Sequence, residues 1–381
     1  MQDEAMEPSG GFSILHVSQP TNGGVGGYVA EIAADQVQRG WTVTVACPDY
    51  DGLARQVEAA GASHERWTAG RAPGPSSLVD AFGVRRLVAR LQPDLVHLHS
   101  SKAGLAGRLA VRGRTPTVFQ PHGWSFDAST GPIRAGALAW ERLATRWATV
   151  VLCVSHAEQR RGEDHGVRGN WRVIPNGVDL QALTEASPAD RAAARGRLDL
   201  DNRPTVICVG RICREKGQDL LLDAWPGVLS RVPEALLVFV GDGRDGDAVR
   251  RRAADDVRFA GWRTDVADWL AAADVVAVPS RSDGMSMALL EAMARGRAVV
   301  ATDVGGAAEA LGPAGTLVPA EDPPALAAAL ADELDNPDRR AAGGRAARER
   351  AERFHDLRTT TAALAGLYAE LLSSSTGPKS L

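Results

Sequence analysis

The sequence predicts an α/β protein made of two doubly wound, mostly parallel sheets, and three observations carry that expectation. Short apolar runs alternate with longer amphipathic ones, the pattern of β-α-β units. That series restarts shortly after position 200. The chain has 381 residues, more than one ordinary domain holds and about right for two.

The first apolar run, 12–17, leads into the cluster Gly23-Gly24-Val25-Gly26-Gly27, expected as a turn. An amphipathic helix is expected over 28–38, closed by Gly40. Strands are expected at 43–46, 94–98, 116–119 and 150–154, each between helix-like stretches, so the sheet should be covered on both faces. The second series runs through 205–210, 236–241, 257–259, 275–278 and 298–301. The join falls between Asp179 and Asp201, where Pro175-Asn176-Gly177 gives way to an Ala/Arg-rich helix at 188–198. A last helix at 357–372 ends in a tail from Ser373 expected to fray. The expected division is a first domain at 1–183, a second at 184–356, and a C-terminal helix and tail at 357–381 able to pack back on the first. Ligands of such sheets collect beyond the C-terminal ends of the strands, and two facing sheets point to a cleft site.

Composition removes several classes. With 44% hydrophobic and 24% charged residues the chain is not a disordered or low-complexity one. The balance of 43 Lys+Arg against 47 Asp+Glu, net −4, speaks against a nucleic-acid binder. Cys47, Cys153, Cys208 and Cys213 stand singly in apolar runs with no zinc-like spacing, so they read as buried free thiols of a reducing compartment. The acidic start, 1–11, does not read as a signal peptide, and no apolar run nears the ~20 residues of a membrane span. A soluble cytoplasmic protein is expected.

The most informative stretch is 279–296. A strand ends at Pro279, a glycine turn follows, and a helix starts near Met285, offering free backbone N–H groups and a positive dipole end to a phosphate. Asp283 before that helix and Glu291 within it suit sugar hydroxyls, although alone they read equally as an N-cap and a solvated helix acid. Arg211 and Lys216 lie in the loop after the first strand of the second series and can clamp a diphosphate. Gly305-Gly306 with Glu309 forms a third loop on the same sheet edge. Together these make a nucleotide-sugar site.

At this point the chain resembles a retaining family 4 glycosyltransferase of GT-B architecture along nearly its whole length. The residues that carry the resemblance are Gly23–Gly27, His122-Gly123, Ser155, Pro175-Asn176-Gly177-Val178-Asp179, Gly210-Arg211, Glu215-Lys216-Gly217, Gly241-Asp242-Gly243, Gly261 with Asp265, Ala273-Asp274, Pro279-Ser280, and the Asp283/Glu291 segment. Both acids of that segment are usually Glu in the family; here the first is Asp283. The resemblance implies that Arg211 and Lys216 hold the donor diphosphate and Glu291 the nucleotide ribose. Asp283 with Gly284, Met285 and Ser286 would face the transferred sugar, and the loop Trp262-Arg263-Thr264 the base. His122 would contact the donor sugar, and Gly24 would let the backbone approach the diphosphate. It implies no metal and no cofactor, the nucleotide sugar (UDP- or GDP-linked) being a co-substrate. Asp49/Asp51 and Asp245/Asp247 mimic a metal-binding DxD pair outside its usual context.

The acceptor is less defined. His122-Gly123-Trp124-Ser125-Phe126 is similar to a loop of bacterial capsule and exopolysaccharide transferases, its aromatics either stacking on a sugar or capping the core. Between 81 and 150 ten cations face three acids, and Ile133, Trp140, Leu143 and Trp147 fall near one helix face carrying Arg142 and Arg146. That face is either a core-facing helix with solvated arginines or a surface for anionic lipid and a lipid-linked acceptor on the inner face of the membrane. His97 and His99 read as structural. Rival readings are a transferase for a small soluble acceptor such as an inositol phosphate or natural product, a nucleotide-sugar epimerase, a silent sugar-nucleotide-binding subunit, and an NAD-dependent oxidoreductase. The last fails on spacing, since Val29 stands where G-x-G-x-x-G needs its third glycine.

Overall fold

A computed structural model of the chain describes residues 11–49, 52–70 and 77–375. The first sheet has seven strands: β1 (Ser13–Ser18), β2 (Thr42–Cys47), β3 (Ser63–Arg66), β4 (Leu95–His99), β5 (Thr117–Gln120), β6 (Val150–Cys153) and β7 (Trp171–Val173). The second has six: β8 (Thr205–Val209), β9 (Leu236–Val240), β10 (Val257–Gly261), β11 (Val275–Val278), β12 (Ala298–Thr302) and β13 (Thr316–Val318). Every strand pair is parallel. The spatial orders are β3-β2-β1-β4-β5-β6-β7 and β10-β9-β8-β11-β12-β13. Both are doubly wound, and the order reverses between β1 and β4 and again between β8 and β11. Loops flanking those reversals form the crevices that hold ligands in such sheets.

Parallel strands need both faces covered, and the second sheet shows how the sequence meets that need. Val206, Cys208, Leu237 and Phe239 enter one apolar cluster. Ile207, Leu236, Val238 and Val240 enter another. Alternate residues point to opposite faces, so continuous apolar runs serve two cores at once. In the first sheet Leu15, Val17, Val96, Leu98 and Phe119 share a core with Trp124 and Phe126. These two aromatics are only 3% and 0% exposed, so they cap the core and are not free to stack on a sugar. All four cysteines are buried and none forms a disulfide.

Three expectations are corrected. Gly23–Gly27 is not a turn before a helix but its opening, since the helix spans Gly23–Gln38. The strands β3, β7 and β13 escape the apolar-run reading because they are sheet edges with half-exposed sequences SHER, WRV and TLV. The division also differs: one unit comprises 11–153, 161–173 and 361–375, the other 154–160 and 174–360, among the described residues. The last helix, Leu357–Ser375, therefore begins with the second unit and continues with the first. The first three residues of the tail expected to fray are helical, and the rest lies outside the described residues, as does the start at 1–10.

The basic stretch 81–150 is less basic on its surface than its count implies. Arg108 is fully buried, with Glu141 at 2.8 Å, and Lys102 is buried against Asp80 at 2.7 Å. Lone buried charges would be costly, so both cations are consumed by structure. The helix Gly131–Ala144 is not wholly core-facing, since Ile133 and Leu143 stay exposed.

Candidate active site

In the second unit the loops after β8, β11 and β12 converge at the reversal of strand order. Lys216 and Gly217 end the first loop, and Gly217 has φ +70°; a Cβ there would lie 1.9 Å from the Pro279 carbonyl oxygen. Gly305 of the third loop has φ +54°, and its Cβ would lie 1.8 Å from the Asp283 carbonyl oxygen. Glycine at both positions lets the three loops touch backbone to backbone. Lys216 then forms an ion pair with Asp283. The spacing in sequence hides this contact, which spans 67 positions.

Asp283 is not the N-cap of the following helix. That helix spans Met287–Ala294 and its N-cap is Ser286. The carbonyls of the segment are bound from behind: Gly284 accepts from Gly306 N at 2.7 Å and Ser155 Oγ at 3.2 Å, and Met285 accepts from Asn176 Nδ2 at 3.0 Å. The segment can thus offer a ligand its N–H groups, the donors suited to phosphate or sugar oxygens. Glu291, about two turns into the helix, is half-buried, and burial pushes its carboxyl up to about 7. Arg211 is exposed at the mouth of the β8 loop.

Sequence reasoning missed Arg281. Its guanidinium grips Asp219 in a fork of 2.6 and 2.9 Å, bonds Glu321 at 2.6 Å and donates to the Arg214 carbonyl at 2.9 Å. It also takes Glu215 O through its backbone N–H at 2.8 Å, binding the Lys216 loop to the β11 loop. Nothing in the spacing marks it out, because its partners lie in two segments distant in sequence, 214–219 and Glu321.

Other candidates are engaged elsewhere. Arg263 is exposed and paired with Asp265 of its own loop at 2.5 Å. Glu309 does not face the crevice loops but caps a helix, accepting from His156 N at 2.8 Å and Ala157 N at 2.6 Å. Of the DxD lookalikes, Asp245 accepts from Arg214 N at 2.8 Å, Asp247 pairs with Arg250 at 3.3 Å, and Asp49 pairs with Arg66 at 3.2 Å. Asp51 lies outside the described residues.

In the first unit, Gly24 is exposed in the first turn of its helix. His122 follows β5 with φ 53°, a left-handed conformation that a non-glycine residue adopts under constraint. Its Nε2 lies 3.2 Å from Nδ1 of His99, at the end of β4. His99 Nε2 lies 3.0 Å from Nδ1 of His16 on β1, and His16 Nε2 lies 2.8 Å from Oε1 of Gln36. Burial pushes His16 down to about 4 and His122 to about 3, with His97 and His99 held well below their ordinary value. All four are neutral imidazoles at pH 7.

Two doubly wound parallel sheets, with Lys216 and Asp283 paired at the reversal of the second, are the architecture of glycosyltransferases of GT-B fold. The family models agree. Residues 22–182 match Glycosyltransferase Family 4 and residues 203–336 match Glycosyl transferases group 1. The chain belongs to glycosyltransferase family 4. One relative is the GDP-mannose-dependent alpha-(1-6)-phosphatidylinositol monomannoside mannosyltransferase of Mycobacterium tuberculosis, 31% identical over 353 residues, covering 87% of this chain and 90% of that one. Another is D-inositol 3-phosphate glycosyltransferase 2 of Catenulispora acidiphila, 34% identical over 324 residues, covering 75% of this chain and 74% of that one. Among solved structures, Anabaena Alr3699/HepE in complex with UDP-glucose superposes with a TM-score of 0.81 at 26% identity, over 95% of this chain and all of that one.

Proposed function

We propose that the chain transfers a mannosyl group from GDP-mannose to a hydroxyl of an inositol-containing glycolipid, with retention of configuration and without a bound metal. The observation that carries this reading is the Lys216–Asp283 pair at the strand reversal, ahead of the helix that carries Glu291. A donor diphosphate entering there shares Lys216 with Asp283 and meets Arg211, so charge developing on the leaving group falls against fixed cations. Glu291 accepts from ribose hydroxyls, and the N–H groups of 284–286 face the sugar. The leaving phosphate takes the acceptor proton, so no protein base is needed. The mycobacterial relative supports the choice of GDP-mannose and of a phosphatidylinositol-type acceptor.

A lipid acceptor also accords with the first unit's surface. Leu78, Val79 and Phe82 are 73%, 72% and 56% exposed on one helix that also carries the exposed Arg85 and Arg86. Apolar side chains flanked by arginines suit the interface of an anionic bilayer. No described helix is long and apolar enough to cross one. We assign the chain a cytoplasmic, peripheral place.

The test is a nucleotide panel. GDP should raise the melting temperature more than UDP, ADP or dTDP, since a ligand at 100 times its Kd stabilises by about 2.7 kcal/mol. GDP-mannose should then be slowly hydrolysed in excess EDTA, giving the α-anomer first. A response to UDP alone would move the donor to a UDP-sugar, and loss of turnover on chelation would restore a metal. The Catenulispora relative favours a second reading, a soluble inositol phosphate acceptor, which is chosen if anionic vesicles neither bind the protein nor supply acceptor.

A further inference from the structure

The buried histidines of the first unit form a directed chain. An amide oxygen only accepts, so Gln36 Oε1 requires the proton of His16 on Nε2. Nδ1 of His16 is then a lone pair, and the contact with His99 requires that ring's proton on Nε2. Nδ1 of His99 is a lone pair in turn, so His122 must donate from Nε2. A neutral imidazole has one proton, which leaves Nδ1 of His122 unprotonated. Nδ1 of His97 and the Tyr368 hydroxyl share a further hydrogen bond.

We propose that Gln36, through His16 and His99, sets His122 as a hydrogen-bond acceptor, with its Nδ1 lone pair open to a ligand hydroxyl. Gln36, His16 and His99 are positioning residues in this account. The burial that keeps all three rings neutral is what makes the chain directional, since a charged ring would donate from both nitrogens. His16, His97 and His99 also offer nitrogens within 4.8 Å of one another, a spacing compatible with a metal ion. The hydrogen-bond chain uses two of those rings on both sides, so metal binding and the chain are mutually exclusive.

The experiment is long-range ¹⁵N–¹H correlation NMR on the full chain without ligand, with His122 assigned by its Ala variant. The Nε2–H tautomer should be seen for His16, His99 and His122. Gln36→Met removes the acceptor, and all three rings should switch to the Nδ1–H tautomer, while Gln36→Glu should keep the original one. Finding His122 as the Nδ1–H tautomer in the unsubstituted protein overturns the proposal. So does a switch-free Gln36→Met spectrum, or movement of the His16, His97 and His99 signals with one equivalent of Zn²⁺. In turnover, Gln36→Met should lower kcat/KM for the donor about tenfold, the loss of one hydrogen bond, and Gln36→Glu should restore it. A switched tautomer with unaffected turnover would overturn the role of the His122 lone pair in the reaction. The nucleotide panel tests the donor reading separately, because it does not depend on the tautomers.

Discussion

Glu291→Gln should stabilise the protein above about pH 4.5, and in full from about pH 7. Burial raises the Glu291 carboxyl from 4.5 to about 7, which corresponds to roughly 3 kcal/mol favouring its neutral form. Because the side chain is only half-buried, solvent reduces the effect to about 1–2 kcal/mol. The sign follows from linkage. A folded-state value above the unfolded one contributes stability that is present below pH 4.5 and lost as pH rises through 7. Glutamine mimics the neutral acid at every pH, so the variant and the parent should match near pH 4.5, diverge as pH rises from 4.5 to 7, and differ by a constant amount above pH 7. At about 2–4 °C per kcal/mol for a domain of this size, the variant should melt about 2–8 °C higher at pH 8. Thermal unfolding of both proteins in steps from pH 5 to 8 reads this directly. A melting difference that does not grow with pH, or one that favours the parent at pH 8, refutes the burial argument. The same variant should gain less from bound nucleotide if Glu291 holds the ribose, so ligand-free and ligand-bound scans move in opposite directions.

Three further outcomes follow from other parts of the structure. Lys216→Ala and Arg211→Ala should each lower turnover about 10²-fold or more, with melting temperatures near that of the parent, as judged by initial rates and calorimetry. Gly305→Ala sets a Cβ against the Asp283 carbonyl in a left-handed backbone, and should cost about 1–3 kcal/mol in chemical unfolding while weakening donor binding. Arg108→Met strands the buried Glu141 and should cost about 3–5 kcal/mol, much of it recovered when Glu141→Gln is added.

Much of this protein was written in one-dimensional pattern. Apolar runs such as 236–240 must be covered on both faces, so alternation with amphipathic segments dictates a parallel sheet with helices on each side, and a restart dictates two. The residues proposed for the donor site were singled out in sequence because Arg211, Lys216 and Asp283 fall in loops right after strands and Glu291 in the helix that follows, where such a fold leaves polar groups at the sheet edge. The edge strands were not, because a strand with one neighbour and partial exposure has no need of an apolar run. Tertiary structure alone decided which charges were available. Lys102 and Arg108 read as surface cations until packing joined them to Asp80 and Glu141, and Glu309 read as a ligand group until it met a helix start. Arg281 and Gln36 were invisible for the same reason. Their influence lies in contacts between segments 20 to 67 positions apart, and hydrogen-bond direction is a property of atoms in space that no residue order records.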